Sequence, residues 1–236
     1  PSARDACGLK AFRQQVTDAL ELIDDEQTLV TITIGANDMS WTDPLTIVGL
    51  LLAQDDIFQA EIERIISDVR RELAVEIERL LENDEVTIIL TDYYNPLNPE
   101  SNLYGVIRGA QSTAWGAANV GDEPCTGTDR SGNEHRLSCA ERFAFALDAL
   151  NTSLESLTSI DPERILVASV AERFRGHEAP EGDCGAASPT SGESWIRGLV
   201  DDGGVTRPDC FHPNALGADA MATAVLEVWK GRASAQ

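Results

Sequence analysis

The sequence predicts an α/β protein, a mainly parallel sheet with helices on both faces. Three observations carry this. Short, β-branched runs at residues 28–34, 86–90 and 165–170 alternate with long segments of a different rhythm, the arrangement of βαβ units. Those long segments place apolar residues three and four apart, as a helix with one buried face does. At 236 residues and 25.5 kDa the chain has room for one domain with a sizeable core. No internal repeat or low-complexity linker divides it, so residues 1–236 are read as a single domain.

The first helix is expected over residues 9–23, on Leu9, Phe12, Val16, Leu20 and Ile23. A strand follows over 28–34, and residues 35–44 form the loop at its carboxyl end. A long helix spans 56–82, with Phe58, Ile62, Ile65, Val69, Leu73, Ile77 and Leu80 as its core stripe and a solvated face of Asp, Glu and Arg. The strand at 86–90 breaks at Asn95-Pro96. Residues 97–137 show no sustained periodicity and read as a long loop bordering a cleft. A helix over 139–157 presents Phe143, Leu147, Leu150, Leu154 and Leu157. After the strand at 165–170, residues 172–211 form a second long loop. The last helix covers 214–229, with Pro213 suited to its first turn.

The formal charge of −22, with Lys10 and Lys230 as the two lysines, argues against nucleic acid or an anionic membrane surface as a partner, since phosphate binding needs clustered Lys and Arg. No apolar run reaches the ~18 residues that stable membrane insertion requires. Five cysteines are present. Cys125 with Cys139, and Cys184 with Cys210, each bracket a loop and suit disulfide staples, leaving Cys7 over; this points to a secreted or extracytoplasmic setting. No spacing fits zinc at His135, His177 and His212, and the acidic run at 129–134 departs from a calcium loop. No glycine-rich phosphate loop appears. No metal or organic cofactor is expected.

Two stretches carry the chemistry. In Asp209-Cys210-Phe211-His212-Pro213-Asn214, a carboxylate three residues before a histidine can lie one turn from it. There it accepts the Nδ1 proton and leaves Nε2 as a base. In Thr31-Ile32-Thr33-Ile34-Gly35-Ala36-Asn37-Asp38, a buried-strand pattern ends in Gly-x-Asn-Asp, and strand ends in open α/β sheets are where ligands bind. The Asn37 amide can donate to an oxyanion, a contribution typically worth ~3–4 kcal/mol; its plainer role is to shape a turn. Gly35 permits close backbone approach, and Asp38 braces the loop. Ser194, Cys184 and Ser40 sit in contexts that do not suit a nucleophile, and no Gly-x-Ser-x-Gly elbow occurs.

Together these stretches resemble the SGNH (GDSL-type) hydrolases, a family of esterases and lipases. Gly35, Asn37 and Asp38 match the family's Gly-x-Asn-Asp block, and Asp209 and His212 match its Asp-x-x-His block, in order. Two looser segments agree, Tyr93-Tyr94-Asn95-Pro96 and Phe174-Arg175-Gly176-His177, with Tyr94 and His177 as cleft-lining candidates. The resemblance implies a three-layer α/β/α, flavodoxin-like parallel sheet of about five strands, of which three are found here. It also implies Ser-His-Asp acyl-enzyme hydrolysis of a small-molecule, lipid or glycan ester. The family's Gly-Asp-Ser block, which bears the nucleophile, occurs nowhere in these residues. The chain is therefore expected to lack its N-terminal part and, alone, to be inactive. The alternative is a non-catalytic binding or scaffold domain that keeps the fold.

Overall fold

The computed structural model describes residues 12–24, 26–35, 53–95, 141–177, 195 and 212–232. Secondary structure alone is described for 127–128, 134–135, 139–140, 199–202, 205–208 and Ala233. The elements are α1 (Phe12–Leu20), β1 (Thr28–Ile32), α2 (Asp55–Leu81), β2 (Val86–Thr91), β3 (Gly127–Thr128) and β4 (Glu134–His135). They continue with α3 (Cys139–Ser156), a 3-10 turn (Leu157–Ser159), β5 (Ile165–Ala168), α4 (Val170–Phe174), β6 (Leu199–Asp202), β7 (Val205–Pro208) and α5 (Ala215–Ala233).

Three strands form one parallel sheet in the order β1-β2-β5. Thr28 lies opposite Val86 and Ile32 opposite Leu90; Ile88 lies opposite Ile165 and Thr91 opposite Ala168. Every residue of β2 is buried, as a central strand covered on both faces requires. Its alternation sorts the core into two layers. Val86, Ile88 and Leu90 join α1, α2 and α3 in one cluster, while Ile89 joins Ala168, Val170, Phe174, Ala220 and Ala224 of β5, α4 and α5 in the other. Burying each large apolar side chain contributes ~1.5–3 kcal/mol, so the two layers hold the sheet between helices. This is the expected three-layer α/β/α arrangement.

The stripe predicted for α3 is buried throughout. On α2, Ile66 takes the buried place expected of Ile65, and the face read as solvated surface carries a buried exception, Glu76. Glu76 is ion-paired with Arg79 and lies 3.8 Å from Arg13, which ties α1 to α2. Arg142, fully buried on α3, reaches the start of α2. It bonds Asp55 at 2.5 Å and the Ala53 carbonyl at 2.6 Å, with its guanidinium 5.1 Å from the centre of the Phe58 ring.

Several expectations change. The strand expected over 165–170 stops at Ala168, and Val170 opens a short helix instead. The segment 172–211, read as loop, contains the end of α4 and the antiparallel β6–β7 hairpin, and the segment 97–137 contains the β3–β4 hairpin. Pro213 lies before the last helix rather than in its first turn. Asn214 is the cap, its Oδ1 accepting the N–H groups of Leu216 at 2.9 Å and Gly217 at 3.1 Å. Among the described residues no helix is long and apolar enough to cross a membrane.

Candidate active site

Because the strands run parallel, β1, β2 and β5 all deliver their following residues to one end of the sheet, where open α/β folds bind ligands. The end of β1 is set by Gly35. Its φ is +117°, and a Cβ there would lie 2.8 Å from Leu150 Cδ1. Glycine is therefore needed both for the backbone angle and for the contact with α3. Beside it, the hydroxyls of Thr33 and Thr91 share a 2.6 Å hydrogen bond across β1 and β2.

The end of β2 is fixed from both sides. The Asn151 amide on α3 accepts the Tyr93 N–H at 2.7 Å and donates to the Tyr93 carbonyl at 2.8 Å. On the other side Asp92, itself buried, accepts the N–H groups of Val170 at 2.5 Å and Ala171 at 2.8 Å through Oδ1, and the Ser169 hydroxyl at 3.4 Å through Oδ2. Loss of solvent raises the Asp92 carboxyl above the ordinary aspartate value. The Ala171 and Val170 N–H groups oppose that rise, and Glu155 adds to it slightly. The sequence reading missed Asp92: its partners lie far along the chain and leave no local signal. An acid between a buried strand and Tyr-Tyr-Asn-Pro was the one visible hint.

An aromatic stack leads from this strand end to His177. Tyr94 is buried and lies flat on Phe174, ring centroids 3.9 Å apart. Phe174 meets Trp195 edge-on at 5.3 Å, and Trp195 stacks on His177 at 3.8 Å with planes 2° apart. The Trp195 N–H donates to the His177 carbonyl at 3.0 Å, and the Asn214 N–H donates to the Trp195 carbonyl at 2.8 Å. His212, exposed to solvent, therefore sits two residues before a cap that is anchored to this stack. Gly217, in the first turn of α5, allows the approach: a Cβ there would lie 2.5 Å from the Trp195 carbonyl oxygen.

An open cleft of about 480 Å³ lies between α3 and α4, lined in part by Tyr93, Asn95, Asp148, Ser169, Glu172 and Arg175. Both looser sequence segments thus border a cleft through Tyr93, Asn95 and Arg175, whereas Tyr94 points into the core and His177 packs on Trp195. Asn37, Asp38 and Asp209 lie outside the described residues, as do Cys7, Cys125, Cys184 and Cys210; Cys139 begins α3. No group of three His, Cys, Asp or Glu side chains able to hold a metal ion occurs among the described residues.

A parallel sheet between two helical layers is the α/β/α fold of the SGNH hydrolases. Residues 2–225 match the model of the GDSL-like lipase/acylhydrolase family, and the chain belongs to that family. Two solved structures share the fold. One is phospholipase A1 from Streptomyces albidoflavus NA297, at 19% identity and TM-score 0.52, covering 90% of this chain and 75% of that one. The other is an extracellular lipase from Streptomyces rimosus, at 18% identity and TM-score 0.53, covering 92% and 76%. No curated protein matches the chain.

Proposed function

We propose that the protein is a secreted carboxylic-ester hydrolase in which His212 is the general base, Asp209 orients it and Asn37 donates to the oxyanion. The attacking hydroxyl comes from the family's Gly-Asp-Ser block, outside these 236 residues. Serine Oγ attacks the ester carbonyl carbon as His212 takes its proton. The tetrahedral intermediate collapses to an acyl-enzyme, and His212 returns the proton to the leaving alcohol. Water then repeats the sequence and releases the acid.

The observation that carries this reading is the family match over residues 2–225, joined to a histidine placed just before the Asn214 cap of α5. The lipase and phospholipase neighbours support a lipid or other ester substrate. The extracellular neighbour and the loop-bracketing cysteines support secretion. In this reading Gly35 and Asp38 support the Asn37 loop, while Tyr94 and His177 act at a distance, through the Phe174–Trp195 packing to which Asn214 is anchored.

The rival is a non-catalytic binding or scaffold domain, favoured by the lack of a Gly-Asp-Ser sequence in these residues. The coding sequence upstream of Pro1 separates the two. A Gly-Asp-Ser segment there, whose inclusion confers hydrolysis of p-nitrophenyl esters on an inactive 236-residue chain, supports the enzyme. A start codon directly before Pro1, with no ester hydrolysis by the product, supports the scaffold.

A further inference from the structure

We propose that Asp92 is a positioning residue for His212: its buried carboxylate clamps the start of α4 to the end of β2, and α4 holds the His212 segment through Phe174 and Trp195. This deepens the reading of His212 as the base and rests on it.

The argument begins with α4 itself. Its five residues are too few to be stable as a helix alone, so its order comes from its surroundings. At its start, Asp92 Oδ1 takes two of the N–H groups that a helix leaves unpaired. At its end, Phe174 is 1% exposed and lies flat on Tyr94, two residues beyond Asp92 on the same strand extension. The two ends of α4 are therefore gripped by one short segment of backbone, and that segment is held on its far side by Asn151. What α4 presents outward is the edge of Phe174 against Trp195. The Trp195 carbonyl in turn receives the Asn214 N–H, and Phe174 Cζ would lie 2.9 Å from a Cβ on Gly217. An ion pair between Arg173 and Glu227 fastens α4 to α5 on the outer surface. Pro213, with its restricted φ, is all that separates the anchored Asn214 from His212.

A carboxylate is an expensive cap in a buried place, because the charge is taken out of water. The two N–H groups that Oδ1 accepts offset part of that cost, and the acceptor they share fixes where α4 begins.

The test uses the full-length, active protein, with p-nitrophenyl butyrate kinetics and NMR of the His135, His177 and His212 ring protons, assigned by His→Gln substitution. Asp92→Ala should lower kcat on the order of 10- to 100-fold with KM within about twofold. It should displace the His212 resonance and leave that of His135, on the β3–β4 hairpin, unmoved. Asp92→Asn keeps Oδ1 as acceptor and should restore both readouts. Phe174→Leu leaves the cap intact and breaks the next link, so it should reproduce the Asp92→Ala pattern; it carries the test alone if Asp92→Ala does not fold. An unmoved His212 resonance with wild-type kcat in Asp92→Ala, or in Phe174→Leu where that variant stands alone, overturns the proposal. So does an Asp92→Asn variant as impaired as Asp92→Ala. His212→Ala is the control. If it abolishes hydrolysis while Asp92→Ala is neutral, only the positioning role falls. If it leaves hydrolysis intact, the base reading falls and this proposal with it.

Discussion

Gly35 and Leu150 meet across the carboxyl end of the sheet with no room for another carbon: a Cβ on Gly35 would lie 2.8 Å from Leu150 Cδ1 and 3.6 Å from Val69 Cγ1. The strand tip that leads to Asn37 is thereby seated on α3. Gly35→Ala adds a side chain at φ +117° and forces Leu150 aside, two penalties that together should cost about 2–4 kcal/mol. Urea unfolding checks this. In the Gly35→Ala background, Leu150→Ala should cost less than it does alone, because the steric part is relieved and the backbone part is not.

Asn37 is expected to act in the transition state rather than in folding. Asn37→Ala should lower kcat of the active enzyme on the order of 10²- to 10³-fold with little change in KM, and should leave the unfolding midpoint near wild type. A loss of stability with kcat intact would assign Asn37 to turn formation instead.

Asp92 gives a pH-dependent signature. Burial is the main cause of its raised pKa, so the folded state holds the proton more tightly than the unfolded chain. Such a group's contribution to stability is full below the unfolded pKa and is lost as pH rises through the folded one. Asp92→Asn removes that dependence. It should match or exceed wild-type stability near about pH 7, with the difference closing as pH falls below the ordinary carboxylate range. Denaturant unfolding of both proteins across that range provides the check. A deficit at neutral pH that vanishes in acid would mean that the folded pKa is lowered.

Arg142 is a buried cation bonded to Asp55 and to the Ala53 carbonyl. Arg142→Ala strands both partners and opens a cavity beside Phe58, and should cost about 3–5 kcal/mol. Differential scanning calorimetry should show a large fall in Tm, whereas substitutions in the exposed Arg64–Asp68 pair should change it little.

Long, periodic elements were legible in the sequence because their core contacts are set by their own spacing. α3 and its stripe from Phe143 to Leu157 are an example. On α2 the choice of Ile66 over Ile65 depends on how a 27-residue helix drapes over the sheet, which spacing alone leaves one residue loose. α4 was invisible, since five residues carry no period and the helix exists through Asp92 and Tyr94, which follow β2 far upstream in the chain. The same holds for Trp195, whose ring meets Phe174 and His177 and whose carbonyl accepts from Asn214, all partners distant in sequence.

The most direct test of the account is the effect of His212→Ala on hydrolysis of p-nitrophenyl butyrate by a protein carrying the proposed Gly-Asp-Ser segment. The account predicts a fall in kcat on the order of 10⁴-fold or more with the fold retained, and no turnover by the 236-residue chain alone. Hydrolysis that survives His212→Ala would contradict it, as would hydrolysis by the 236-residue chain that depends on His212, which would place the nucleophile within this sequence.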